Sequence, residues 1–188
     1  MDPSGHICEQ KYQELKSKDP SKLTEQERAD IKAYEQENGV VVSAKFEHTI
    51  DGQTYTYVDV NPKARSSERR TTDKIQAPEG QKGLSCVNNN MKKAHAEVGS
   101  MNQSFTKGHK GGTAVLTVEG QAVCRYCRSD VKKMALNLGL DKLTVYEHVN
   151  GKKYIYVFDR KRNKNVFNNA TGKNHGLRWE EARDGASI

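Results

Sequence analysis

Apolar positions are sparse at the start of the chain and become periodic only further in. Residues 1–20 are polar, with a helical pair at Tyr12 and Leu15, and read as a leader. Thr24 and Glu27 form a capping box and Asn38-Gly39 a stop, predicting a helix over 24–38 with a thin stripe of Ala29, Ile31, Ala33 and Tyr34. Val40 to Ile50 and Gln53 to Val60 are β-rich runs joined by Asp51-Gly52, a hairpin signal. Residues 61–89 lose all periodicity and read as a long loop, a length that in compact domains is usually functional or mobile. Helical spacing returns at Met91, Ala94, Val98, Met101 and Phe105, predicting a helix over about 90–105 that Lys107 to Gly112 breaks. Thr113 to Val118 reads as a buried central strand. Gly120 turns the chain into a second helix, from near Cys124 to Gly139, with Cys127, Val131, Met134, Ala135 and Leu138 inward. Leu143 to Val149 and Lys153 to Phe158 form another hairpin across Asn150-Gly151. A basic tail follows, with a short helix expected around Trp179 to Arg183. No internal repeat is present.

This order predicts an α/β fold. A strand–helix–strand crossover over 113–149 implies parallel strands there, while the hairpins are antiparallel. The expected product is a three-layer α/β/α sandwich on a mixed five-stranded sheet whose last two strands are antiparallel. Residues 1–20 would be the leader, 21–160 the domain, and 161–188 a basic extension.

Composition narrows the class. At 188 residues, 34% hydrophobic and mean hydropathy −0.91, the chain suits one domain with a modest core and lacks an apolar run able to span a membrane. The first residues lack the apolar region of a signal peptide. Four cysteines are too few for a disulfide scaffold in a chain this long. The charge of +7 is uneven: residues 1–40 hold six basic and nine acidic side chains, a net −3, and residues 41–188 hold 25 and 15, a net +10. A basic body favours a polyanionic partner, although a solvated surface also explains it. The basic clusters closest to a binding patch are Arg65, Arg69 and Arg70, and then Arg160, Lys161, Arg162 and Lys164.

The candidate chemistry lies in His95, Glu97, Cys124 and Cys127. Two thiols at i and i+3 on a helix N-terminus share one face, and the helix dipole there favours thiolates. With one histidine they supply three ligands for zinc and leave the fourth position for water. Glu97, two residues past the histidine, can stay off the metal and move a proton to and from that water. A redox C-x-x-C and a four-ligand structural zinc site completed by Cys86 are the competing readings. No proline after Pro78 supplies the cis-proline expected of the redox class, and a structural site leaves Glu97 without a purpose.

These residues resemble the zinc-dependent cytidine deaminase superfamily, whose signature is H-x-E followed by P-C-x-x-C. Residues 24–158 follow its element order. The stretches HAEVGSMNQSF, VEGQAVCRYCRSDV and LTVYE look closest to bacterial polymorphic-toxin deaminases of the MafB-like group. The resemblance implies Zn2+ on His95, Cys124 and Cys127, Glu97 as proton shuttle, and an Ala96 N–H that contacts the pyrimidine O2. No organic cofactor is implied. One departure is Val123, where the signature has proline; it points toward the toxin branch. The hairpin at 143–158 favours cytosine over adenine.

In that fold, loops at one sheet edge wall the pocket. Asn88, Asn89 and Asn90 would offer amides to base or sugar, with helix capping the alternative for Asn90. Gln121 could face the base or serve as a turn residue, and Tyr126 could stack on a nucleotide or pack on the sheet. His109 reads as a solvent residue, Cys8 and Cys86 as bystanders. The expected partner is nucleic acid, DNA first and RNA second, with a cognate immunity protein, no membrane, and a monomeric state. The expected place of action is the cytoplasm of a target cell after delivery within a larger toxin. An RNA or free-cytidine deaminase and a non-catalytic zinc module are the alternatives.

Overall fold

The structure is a computed structural model that describes residues 7–66, 95–149, 152–159 and 180–182; β5 and β6, below, are described by their backbone. Two helices come first, α1 (Glu9–Ser17) and α2 (Glu25–Glu37). They are followed by β1 (Ser43–Ile50) and β2 (Gln53–Val60), then α3 (Ala96–Thr106), β3 (Thr113–Glu119) and α4 (Arg125–Asn137). Strands β4 (Lys142–Val149), β5 (Lys152–Asp159) and β6 (Glu180–Ala182) complete the order. The strands form one mixed sheet in the order β2-β1-β3-β4-β5-β6. Among the described residues, only β3 and β4 pair in parallel, across the α4 crossover.

Local chemistry accounts for most boundaries. Thr24 and Glu27 make the reciprocal capping box that starts α2. Asp51 and Gly52 both take positive φ, 49° and 81°, which the tight hairpin turn between β1 and β2 requires. Two expectations are corrected. The sheet has six strands among the described residues, because Glu180–Ala182 pairs with β5 where a short helix was expected. Helix α3 begins at Ala96 with His95 as its extended N-cap, so His95 precedes the helix instead of lying within it. Met91 and Ala94, most of the 61–89 loop and the Asn150-Gly151 turn lie outside the described residues.

Strand alternation builds two cores. Ala44 and Phe46 of β1, Ala114, Leu116 and Val118 of β3, and Leu143 and Val145 of β4 point to one face, where they meet Val98 and Met101 of α3 and Val131, Met134 and Ala135 of α4. On the other face of β2, Val58 and Val60 pack with Tyr12, Leu15, Ile31 and Tyr34. Tyr12 and Leu15 have no exposed surface, so the polar opening segment contributes buried side chains to the body. Tyr12 stacks on Tyr34 with centroids 4.4 Å apart, and its hydroxyl donates to Glu35 at 3.0 Å. Burial raises the Tyr12 pKa, helped by the Glu35 charge.

His48, on β1 beneath the end of α3, is fully buried. Its Nε2 lies 2.7 Å from the Gly111 carbonyl, which can only accept, so Nε2 carries the proton and Nδ1 accepts from Ser104 Oγ at 2.8 Å. Burial lowers the His48 pKa, and His109 nearby adds to that. The unfolded chain therefore binds a proton at this residue first as pH falls, and stability declines below about pH 6.5, the ordinary imidazole value. Urea midpoints will fall over that range in the wild type and fall less in His48→Gln. Equal slopes in the two proteins would exclude His48 as a source of acid sensitivity.

Candidate metal centre

The N-termini of α3 and α4 meet over the sheet and bring His95, Cys124 and Cys127 together. One donor atom from each lies within 4.8 Å of the other two, and His95 Nδ1 is 3.9 Å from Cys124 Sγ. Cys124 is the N-cap of α4, and its sulfur accepts the Cys127 N–H at 3.3 Å. Zinc with bonds of about 2.0 Å to nitrogen and about 2.3 Å to sulfur holds such donors roughly 3.5 Å apart at tetrahedral angles, so a small contraction suffices. The donor set fits zinc.

Glu97 follows in the first turn of α3, 2% exposed, with Oε2 making no hydrogen bond. Burial raises its pKa above the usual carboxylate range; the Glu147 and Asp59 charges add to this and a Cys127 hydrogen bond opposes it. A buried carboxylate oxygen without a partner is costly in a purely structural role. A carboxyl group with such an oxygen is chemically able to accept and release a proton. Burial lowers the His95 pKa, and Arg65 adds to the effect, favouring the neutral imidazole that binds metals. Cys127 behaves contrary to expectation. Burial, then the Glu97 charge, pushes its thiol well above the ordinary value. A thiolate there calls for a neighbouring cation, as a metal ligand has.

A family model described as "Putative cytidine deaminase, C-terminal domain" matches residues 36–176. The chain belongs to this deaminase family. No curated protein and no solved structure matches it.

In this deaminase domain, the buried supports of the site were not legible as such in the sequence. Arg65, expected in a nucleic-acid-facing cluster, is 3% exposed and pairs with Asp59 in a fork. Its Nε and Nη2 donate to the two Asp59 carboxylate oxygens at 3.0 and 2.9 Å, and Nη2 reaches the His95 carbonyl at 3.4 Å. Gly99, one turn into α3, makes room for the pair. The signal that could have found it was Asp59 as a charged residue inside an otherwise apolar strand end, six residues before an arginine.

The remaining expected site residues divide. Ala96 is buried at the first position of α3. Gln121 is exposed in the turn before α4. Tyr126 falls in the first turn of α4, its side chain outside the described residues, as are Asn88, Asn89, Asn90, Cys86, Arg69, Arg70 and 160–164. Cys8 is exposed and remote in sequence from the centre. His109 is corrected: it is half-buried, its ring tilted against Tyr55 with centroids 4.0 Å apart, and hydrogen-bonded to the Tyr57 hydroxyl at 2.9 Å. Among the described residues, no helix is long and apolar enough to cross a membrane.

Proposed function

We propose that this domain is a zinc-dependent hydrolytic deaminase that converts cytosine to uracil in DNA, preferring single-stranded or locally opened sites. The observation that carries the reading is the convergence of His95, Cys124 and Cys127 beside a buried, unpartnered Glu97 oxygen. His95, Cys124 and Cys127 would hold Zn2+. When bound, zinc supplies Lewis acidity and an activated water at neutral pH. Glu97 accepts the proton released by water and delivers it to cytosine N3. The Ala96 N–H, in the first turn of α3 where N–H groups lack intrahelical acceptors, would hold the pyrimidine O2. The balance is one water consumed, oxygen bound at C4, and ammonia released.

The polynucleotide reading rests on the +10 charge of residues 41–188, even with Arg65 withdrawn from the contacting set. Bases within a duplex must be flipped or opened before such a pocket can reach them, which favours single strands. The expected architecture is the three-layer cytidine-deaminase-like sandwich. A valine before Cys124 and the local sequence around it support membership of the MafB-like toxin deaminases. That membership implies delivery within a larger polypeptide, action in a target cell's cytoplasm and a cognate immunity protein.

Purified protein incubated with single-stranded DNA, duplex DNA, RNA and cytidine, then sequenced or chromatographed for uracil, tests the proposal. DNA conversion should dominate and should vanish on zinc removal by a chelator and return on zinc addition. Conversion of free cytidine alone overturns the DNA assignment, and full activity after verified zinc removal overturns the metal assignment.

A further inference from the structure

The segment that delivers Cys124, residues 120–123 between β3 and α4, is fastened to β4 at two adjacent residues. The Gly120 N–H donates to the His148 carbonyl at 3.3 Å, and the Val123 N–H donates to Glu147 Oε1 at 3.1 Å. At its start the segment presses against the residues leading into β1, since a Cβ on Gly120 would stand 2.2 Å from the Val41 carbonyl oxygen. At its end Cys124 caps α4. Glu147 is 1% exposed on the strand face that otherwise carries Leu143 and Val145. An apolar side chain is the default there, because burying a carboxylate is expensive without strong hydrogen bonds.

The sheet register adds a second observation. Asp59, Ala44, Val118 and Glu147 stand opposite one another across β2, β1, β3 and β4 and form one row. The row runs on into Tyr154 of β5; its two carboxylates, Asp59 and Glu147, are both buried, and each serves one ligand-bearing helix. Asp59 acts through Arg65 on the His95 carbonyl, and Glu147 acts on the N–H next to Cys124.

We propose that Glu147 is a positioning residue for Cys124, holding the backbone before the cysteine by accepting the Val123 N–H. A proline at position 123 has no N–H and restricts the same backbone through its ring. Glu147 performs by hydrogen bonding what a ring would perform covalently. The inference rests on the zinc reading for its metal-affinity consequence, but the placement of Cys124 is independent of it.

The test is a set of variants: Glu147→Gln, Glu147→Leu, Val123→Pro, and Val123→Pro combined with Glu147→Leu. Zinc affinity is read by competition with a chromogenic chelator. Alkylation of Cys124 by iodoacetamide in metal-free protein is read by peptide mass spectrometry. Glu147→Gln keeps an acceptor and should stay within about twofold of wild type, while Glu147→Leu should weaken zinc binding by about tenfold or more. It should also speed Cys124 alkylation several-fold, on the order of the freedom gained when such a support is lost. In the Val123→Pro background, Glu147→Leu should change either readout by less than about twofold. Equal effects of Glu147→Leu in both backgrounds, or a glutamine variant as impaired as the leucine one, overturn the proposal. A wild-type protein that takes up no zinc defeats the metal reading instead, and the alkylation rates then decide the role of Glu147.

Discussion

Glu97→Gln will leave the protein folded and able to bind zinc while deamination falls by about a thousandfold or more. The substitution keeps the side chain's volume in a site that is 2% exposed, so packing is preserved. On the proposed mechanism it removes the group that takes a proton from water and returns it to the base, since an amide does neither at neutral pH. Bulk solvent has little access to replace it, because the side chain is buried. Oε2 makes no hydrogen bond in the fold, so no structural bond is lost with it. Zinc content by atomic absorption and a uracil-release assay on the same sample separate the two roles. Activity within about tenfold of wild type in the zinc-loaded variant would assign the proton transfer elsewhere.

Gly99→Ala will destabilise the domain by about 3 kcal/mol or more, although alanine is ordinarily the better helix former by roughly 1 kcal/mol. A Cβ at this position would stand 1.8 Å from Asp59 Oδ2 and 2.8 Å from Arg65 Nη2. Those atoms belong to a buried ion pair whose side chains are 0% and 2% exposed, and moving either one exposes its charge to a low-dielectric interior without its partner. The damage will not stay local, because Arg65 also reaches the His95 carbonyl. Urea denaturation should show the loss directly, and zinc affinity should fall with it. Gly108→Ala is a matched control outside the core: nothing lies within 4 Å of its Cβ position, and only its positive φ costs. Equal stability losses in the two variants would remove the argument from crowding.

Element order and type were legible because each rests on local chemistry. The capping box of α2, the Asp51-Gly52 turn and the short apolar, β-branched run of β3 need no distant partner to be read. The edges were less so. Glu180–Ala182 becomes a strand because β5 offers it an edge, which propensity within the segment does not reveal. Arg65 was misassigned for a related reason: a charged side chain looks solvent-facing until its counter-charge is placed, and Asp59 arrives through the β2 register and the turn that follows it.

The spacing of His95, Glu97, Cys124 and Cys127 was sufficient to nominate a metal centre, since ligand type and helical periodicity are properties of the chain itself. Folding decided how the nominees are held and charged. Cys127 lies where burial and the Glu97 charge raise its thiol pKa, an effect of surroundings drawn from separate elements. The single row of Asp59 and Glu147 under the two helices exists only once four strands are in register, because residues from 59 to 147 meet there through hydrogen-bond pairing and not through sequence proximity. The sequence by itself determined which groups could do the chemistry; the tertiary structure determined which carboxylates brace them.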